Sequence, residues 1–184
     1  STVEDFGLTS ANEAAVIDCP ALTTIEVSPE SPYYTVVDGV LFTKDMKTLV
    51  YYPEGLENTA YTIPSGVEII GAGAFYGNMK LIEVVMPNTV TLIQQKAFKE
   101  AETIEKIQLS ENITRIKSRA FKQALKLKDI VLPDSLEIIN EGAFLWCEAL
   151  ESITIPEKVK FLPDNFLHGC LSLKEVKILN PDCM

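Results

Sequence analysis

One histidine, His168, and four cysteines, at positions 19, 147, 170 and 183, are the residues of this chain best suited to nucleophilic or metal chemistry. A Ser-His-Asp or Cys-His arrangement would have to use His168, and no partner for it is marked in the sequence. Beside Gly169 it reads as a turn residue. The cysteines form no C-x-x-C pair, so neither a zinc ribbon nor a thioredoxin-like site is written here, and four are too few for a disulfide scaffold. Gly-x-Ser-x-Gly, a Gly-rich phosphate loop and His-Glu-x-x-His do not occur. The 26 acidic residues fall at variable positions and single out no carboxylate pair. The sequence thus assigns no catalytic residue, no metal ligand and no cofactor, and the expectation is a protein that is not an enzyme.

A net charge of −10, with lysines and arginines scattered singly, argues against nucleic acid, because phosphate binding needs a basic stripe. Anionic membrane surfaces are disfavoured for the same reason. No apolar run approaches the roughly 18 residues of a membrane-spanning helix, so membrane insertion is not expected. At 47% hydrophobic and 23% charged, the composition is that of a folded domain.

The elements that would position any site repeat at a step of 23. Ala74-Phe75, Ala97-Phe98, Ala120-Phe121 and Ala143-Phe144 recur in register, with Phe166-Leu167 in the fifth pair of places. The junctions Ile63-Pro64, Met86-Pro87, Leu109-Ser110, Leu132-Pro133 and Ile155-Pro156 keep the same step. Ile153 and Ile155, two apart, put their side chains on one face of a short strand, which the following proline ends because it cannot donate to a ladder. Val159 and Leu162 lead the chain along a second extended edge. Apolar residues around Ala143-Phe144-x-x-Cys147-x-x-Leu150, spaced at three and four, predict one or two helical turns. No coil of this kind buries its apolar places alone, so neighbours must stack and share one core.

Leu150-x-x-Ile153-x-Ile155 and Leu173-x-x-Val176-x-Ile178 match the leucine-rich-repeat core Leu-x-x-Leu-x-Leu. The place of the usual following Asn is held by Gly66, Thr89, Asn112, Ser135 and Lys158, so the Asn is missing from all but one of these coils. With proline after the strand, Ala-Phe on the far side and Cys or Ala three later, the pattern from about Ala14 to Ile178 resembles the BspA-like subclass of bacterial leucine-rich repeats. The expected fold is an α/β leucine-rich-repeat solenoid. It is a single domain over 1–184, with a first coil at about 14–30, an inserted β-meander at 31–56 and regular coils at 57–184. Strands are predicted at about 25–27, 61–63, 84–86, 107–109, 130–132, 153–155 and 176–178 in one parallel sheet. The resemblance implies a non-enzymatic extracellular interaction scaffold of a cell-surface or secreted protein, binding a protein or a glycan; a structural spacer of a larger surface protein is the alternative. A monomer is expected, with the last strand an edge that Lys174 and Lys177 protect from pairing.

From Val27 to Ile63 the step is 36, and alternation around Asp38-Gly39, a strong hairpin signal, predicts strands at about 33–37, 40–43 and 48–52 projecting from the array. Tyr33, Tyr34, Phe42, Tyr51 and Tyr52 there either pack a small sheet onto the solenoid or form an aromatic platform for a ligand. Cys147 and Cys170 hold equivalent places on adjacent coils, which Ala101 and Ala124 also occupy. Packed free thiols fit that place, while a disulfide, or a metal site with His168 or Cys183, are the alternatives. The columns flanking the inward strand residues lack aromatic anchors, and in one of them Glu83, Lys106 and Asp129 alternate in sign. On the second edge, Ile69, Leu92, Arg115, Ile138 and Phe161 precede the inward residue of each coil. Either the backbone turns these side chains inward, or they form an exposed apolar ridge for a partner.

Overall fold

The structure, a computed structural model, describes residues 19–184. The start of the expected first coil, at 14–18, lies outside the described residues. The fold is the leucine-rich-repeat solenoid, in which two strand ladders flank a shared core. Twelve strands form in chain order: β1 Tyr34–Val37, β2 Val40–Thr43, β3 Thr48–Tyr51, β4 Ala60–Thr62, β5 Ile69–Ile70, β6 Glu83–Val85, β7 Leu92–Ile93, β8 Lys106–Gln108, β9 Arg115–Ile116, β10 Ile138–Ile139, β11 Ser152–Ile155 and β12 Glu175–Ile178. One continuous hydrophobic cluster runs from Val40 to Phe166. The inward positions predicted from the repeat, such as Val67, Val90, Ile113, Leu136 and Val159, are all fully buried in it.

Among the described residues no helix forms, which corrects the expected helical turn of each coil. The backbone before each Ala-Phe pair and two residues after it is left-handed: Gly73 and Gly77, Lys96 and Glu100, Arg119 and Gln123, Gly142 and Trp146, and Asn165 and Gly169 all have positive φ. Such residues cannot continue a right-handed helix. Alternate amides also leave the coil altogether. Lys96, Phe98 and Glu100 donate to the carbonyls of Ser118, Ala120 and Lys122 of the next coil at 3.1, 2.7 and 2.8 Å, while Ala97, Lys99 and Ala101 close tight turns three residues back. The same bonds recur from coil to coil, so the apolar spacing of three and four comes from stacked turns. Phe75, Phe98, Phe121 and Phe144 consequently form a ladder of near-parallel rings with centroids 4.7, 5.3 and 5.1 Å apart.

The predicted single sheet of seven parallel strands is divided. β4, β6 and β8 make one parallel sheet and β11 and β12 another. Between them, residues 129–132 keep only an isolated bridge from Lys106 to Asp129. Asp129, a residue type disfavoured in strands, opens that segment, and Lys106 turns its ammonium back to Glu83 at 2.7 Å. Nor does Ile25–Val27 form a strand. The chain instead meets the array where the Gly55 amide donates to the Leu22 carbonyl at 2.9 Å, an approach so close that a Cβ on residue 55 would lie 2.6 Å from that oxygen.

The largest sheet lies on the second edge, with strand order β1-β2-β3-β5-β7-β9-β10. Its first three strands are the meander, antiparallel, with positive φ at both Asp38 and Gly39 in the connecting turn. The meander does not project, contrary to expectation. β3 pairs in parallel with β5, and Val40, Phe42, Leu49 and Tyr52 belong to the core. The reason is register: Tyr52 stands 23 residues before Phe75, donates its amide to the Ala74 carbonyl as Phe75 does to that of Ala97, and stacks on the Phe75 ring at 5.3 Å.

Candidate interaction surface

Phe42, Tyr51 and Tyr52 are buried, so the aromatic-platform reading fails for them. The meander's apolar alternation points Phe42 and Tyr52 into the shared core, while Tyr51 is buried outside that cluster, beside Glu54. Burial pushes the Tyr51 and Tyr52 phenols above their usual range. Their hydroxyls have partners: Tyr51 donates to Glu54 Oε1 at 3.4 Å, and Asn58 donates to the Tyr52 oxygen at 3.2 Å. Tyr33 is exposed and Tyr34 half-buried, leaving one free ring at the meander.

The chemistry-bearing residues do not converge. Cys147 and Cys170 each aim Sγ at a backbone carbonyl, of Phe121 at 3.1 Å and of Phe144 at 3.3 Å, and burial raises both thiols above their usual range. None of the four cysteines is joined in a disulfide. His168 sits at the surface with its ring 5.4 Å from that of Trp146 at 85°. No cluster of three or more His, Cys, Asp or Glu that could hold a metal occurs among the described residues.

The second edge is different. Ile69, Leu92, Arg115 and Ile138 are opposite one another in the parallel ladder β5-β7-β9-β10, with Ile70, Ile93, Ile116 and Ile139 buried beside them. Alternation in a strand sends neighbours to opposite faces, so the column is not turned inward. Ile69 and Leu92 are half-buried, whereas Ile138 is 37% and Phe161 62% exposed. Met184 takes the next place, because Leu162 donates to its carbonyl at 2.9 Å and its own amide donates to Lys160 at 3.0 Å. A groove of about 510 Å³ runs beside the exposed end, lined by Glu137, Ile138, Lys158, Lys160 and Phe161. Two lysines here are a local reversal of the chain's acidic balance.

The sheet face behaves otherwise. Lys106 pairs with Glu83 and Lys174 with Glu151, each at 2.7 Å and each across one coil. Exposed pairs of this kind contribute little stability, but they leave the face self-complementary. At the break in this ladder lies an open cleft of about 610 Å³, lined in part by Gln108, Glu111, Lys128 and Val131, with Val131 83% exposed. That cleft and Trp146 escape the repeat pattern, since both depend on how coils fit together. The signal for Trp146 is that it is the chain's only tryptophan.

Compared with known proteins, residues 46–181 match the family described as BspA type leucine rich repeat region, in six copies. Among solved structures, a leucine rich cell surface protein from Faecalibacterium prausnitzii A2-165 is 32% identical with a TM-score of 0.83, over 91% of this chain and 44% of that one. The pneumococcal vaccine antigen PcpA is 30% identical with a TM-score of 0.82, over 88% and 40%. A leucine-rich repeat protein from Bacteroides ovatus is 27% identical with a TM-score of 0.65, over 82% and 43%. The chain spans less than half the length of each. No curated protein matches the sequence.

Proposed function

Because this chain belongs to the BspA-type leucine-rich repeat family, we propose that it is a non-enzymatic interaction scaffold of a bacterial cell-surface or secreted protein, holding a protein partner on its second-edge sheet. The observation that carries this reading is the exposed end of the ridge, where Ile138 and Phe161 lie beside Lys158 and Lys160. An apolar centre rimmed by charge is the general anatomy of a protein interface, and the positive rim suits a partner segment that is apolar and acidic. The surface location draws support from relatives whose descriptions are a cell surface protein and a vaccine antigen.

The test is capture of proteins from surface extracts by the wild type and by an Ile138→Asp/Phe161→Asp double variant. Both substitutions fall on exposed side chains, so the variant should remain folded. A partner retained by the wild type and lost by the variant is the expected result. A partner retained equally by both would remove the ridge from the interface. The self-paired sheet face favours a second reading, a spacer within a larger surface protein, in which case neither form captures a partner.

A further inference from the structure

We infer that the cleft at the break in the sheet-face ladder is a second docking surface, separate from the ridge, and that its occupant is an extended, basic peptide segment carrying one bulky apolar side chain. The preceding steps of the same face show what the break removes. Ile63 donates its amide to the Val85 carbonyl at 2.9 Å, and Met86 donates to that of Gln108 at 3.0 Å. The next members of the series are the Leu109 amide and the Val131 carbonyl. They are not bonded to each other, and neither has another backbone partner among the described residues. Both residues line the cleft. A main-chain donor and a main-chain acceptor left open side by side are the complement of an extended peptide, whose every unit offers one of each.

The side chains around these groups supply an apolar contact. Ile107 is buried, Leu109 is half-buried and Val131 is almost fully exposed, and all three border the same space. At about 610 Å³ the cleft falls within the roughly 300–1,000 Å³ of ligand pockets. That is room for one aromatic or branched side chain laid on Val131, with the peptide units on either side of it.

Charge decides which peptide. The two lysines of the cleft are drawn to carboxylates outside it: Lys106 pairs with Glu83 at 2.7 Å, and Lys128, after Lys174, helps hold the Glu151 carboxyl below its usual range. Glu105, Glu111 and Asp129 remain around the cleft with no ion pair among the described residues. The site therefore favours lysine or arginine beside the apolar side chain and repels an acidic segment. Its polarity is opposite to that of the ridge, where Lys158 and Lys160 rim the apolar end, so the two surfaces sort partner segments by charge.

The test is fluorescence anisotropy of labelled probes titrated with the 184-residue protein. The probes are the hexapeptides Lys-Thr-Lys-Phe-Lys-Thr and its leucine analogue, a version with glutamate for lysine, a version with glycine for phenylalanine, and cellotetraose. The lysine peptides should bind saturably, roughly tenfold tighter than the glutamate and glycine versions, and more weakly as salt rises from about 0.05 to about 0.5 M. Methylating the phenylalanine nitrogen, which removes one main-chain donor, should weaken binding about fivefold. Val131→Ser and the triple variant Glu105→Gln/Glu111→Gln/Asp129→Asn change only exposed side chains. With folding checked by circular dichroism, each should bind the lysine peptides about fivefold less tightly, and the triple variant should lose most of the salt dependence. Phe161→Asp should bind them as the wild type does, which keeps this site separable from the ridge. No saturable binding of either lysine peptide, equal binding of the glutamate version, unchanged affinity in Val131→Ser or for the methylated peptide, or saturable binding of cellotetraose in place of the peptides would each overturn the assignment.

Discussion

Replacing Phe121 with alanine removes a ring that is fully buried and covered on both faces, by Phe98 at 5.3 Å and Phe144 at 5.1 Å, each within 8° of parallel. Emptying such a site costs about 3–5 kcal/mol, of which the two ring pairs account for about 0.5–1.5 kcal/mol each. Phe166 occupies the end of the same column. It is slightly exposed and meets one ring only, that of Phe144, edge-on at 6.4 Å. Its truncation can relax toward solvent and should cost about 1–3 kcal/mol, below the usual range for emptying a closed site. The roughly 2 kcal/mol between the two variants corresponds to about a thirtyfold ratio in unfolding constants. Urea unfolding followed by circular dichroism, with Trp146 emission reporting on the later coils, measures both. If Phe166→Ala cost as much as Phe121→Ala, or if Phe121→Ala cost under about 1 kcal/mol, the stacked ladder would not be the centre of the core.

Burial alone would raise the Glu100 carboxyl, but Lys99, the Tyr76 hydroxyl and Lys122 outweigh it and hold it below its ordinary 4.5. A depressed carboxyl stabilises at neutral pH and loses that contribution as pH falls through the acid range, so Glu100→Gln should be weaker at pH 7 yet show a smaller drop in urea midpoint toward pH 3; identical acid profiles would exclude this role. Burial holds the Tyr51 and Tyr61 phenols neutral well above the ordinary 10.0, a shift that stabilises below pH 10 and is lost above it. Alkaline unfolding should therefore be less steep in Tyr61→Phe, and unchanged steepness would rule it out. The buried Cys147 thiol should react with a disulfide reagent only as the protein unfolds, after the partly exposed Cys170 and Cys183; a single phase for all four thiols would contradict its packing. Hydrogen exchange should open the amides of β12, which pairs only with β11, before those of β8, and equal protection in a monomer would show that the end is covered by other means.

How much of this was legible beforehand follows from which interactions repeat. Val67, Val90, Ile113, Leu136 and Val159, and the phenylalanines across from them, were readable because each recurs at a step of 23 and each is buried. The apolar spacing of the turns predicts helix because the difference lies in backbone sign at Lys96, Glu100, Arg119 and Gln123, polar residues whose side chains do not announce a left-handed conformation. The meander's place was available in the spacing of Tyr52 and Phe75 but hidden by the change from Phe to Tyr. Of the candidate site, the Ile138–Phe161 ridge could be located from sequence, while its exposure could not. The cleft at Val131 depends on a ladder failing between two particular coils, and the seat of Trp146 on a glycine 23 residues later.

The bonds joining Lys96, Phe98 and Glu100 to the following coil, and their equivalents throughout, run along the direction in which the coils stack. Tension applied between the two ends therefore loads them one coil after another, as in a zipper, instead of all together as in sheared side-by-side strands. Each coil that opens exchanges a rise of about 4.8 Å for up to about 80 Å of extended chain, at roughly 3.5 Å per residue. Under mechanical load such a chain lengthens in equal steps and at low force, so a coil can be lost to stretching while those behind it stay folded.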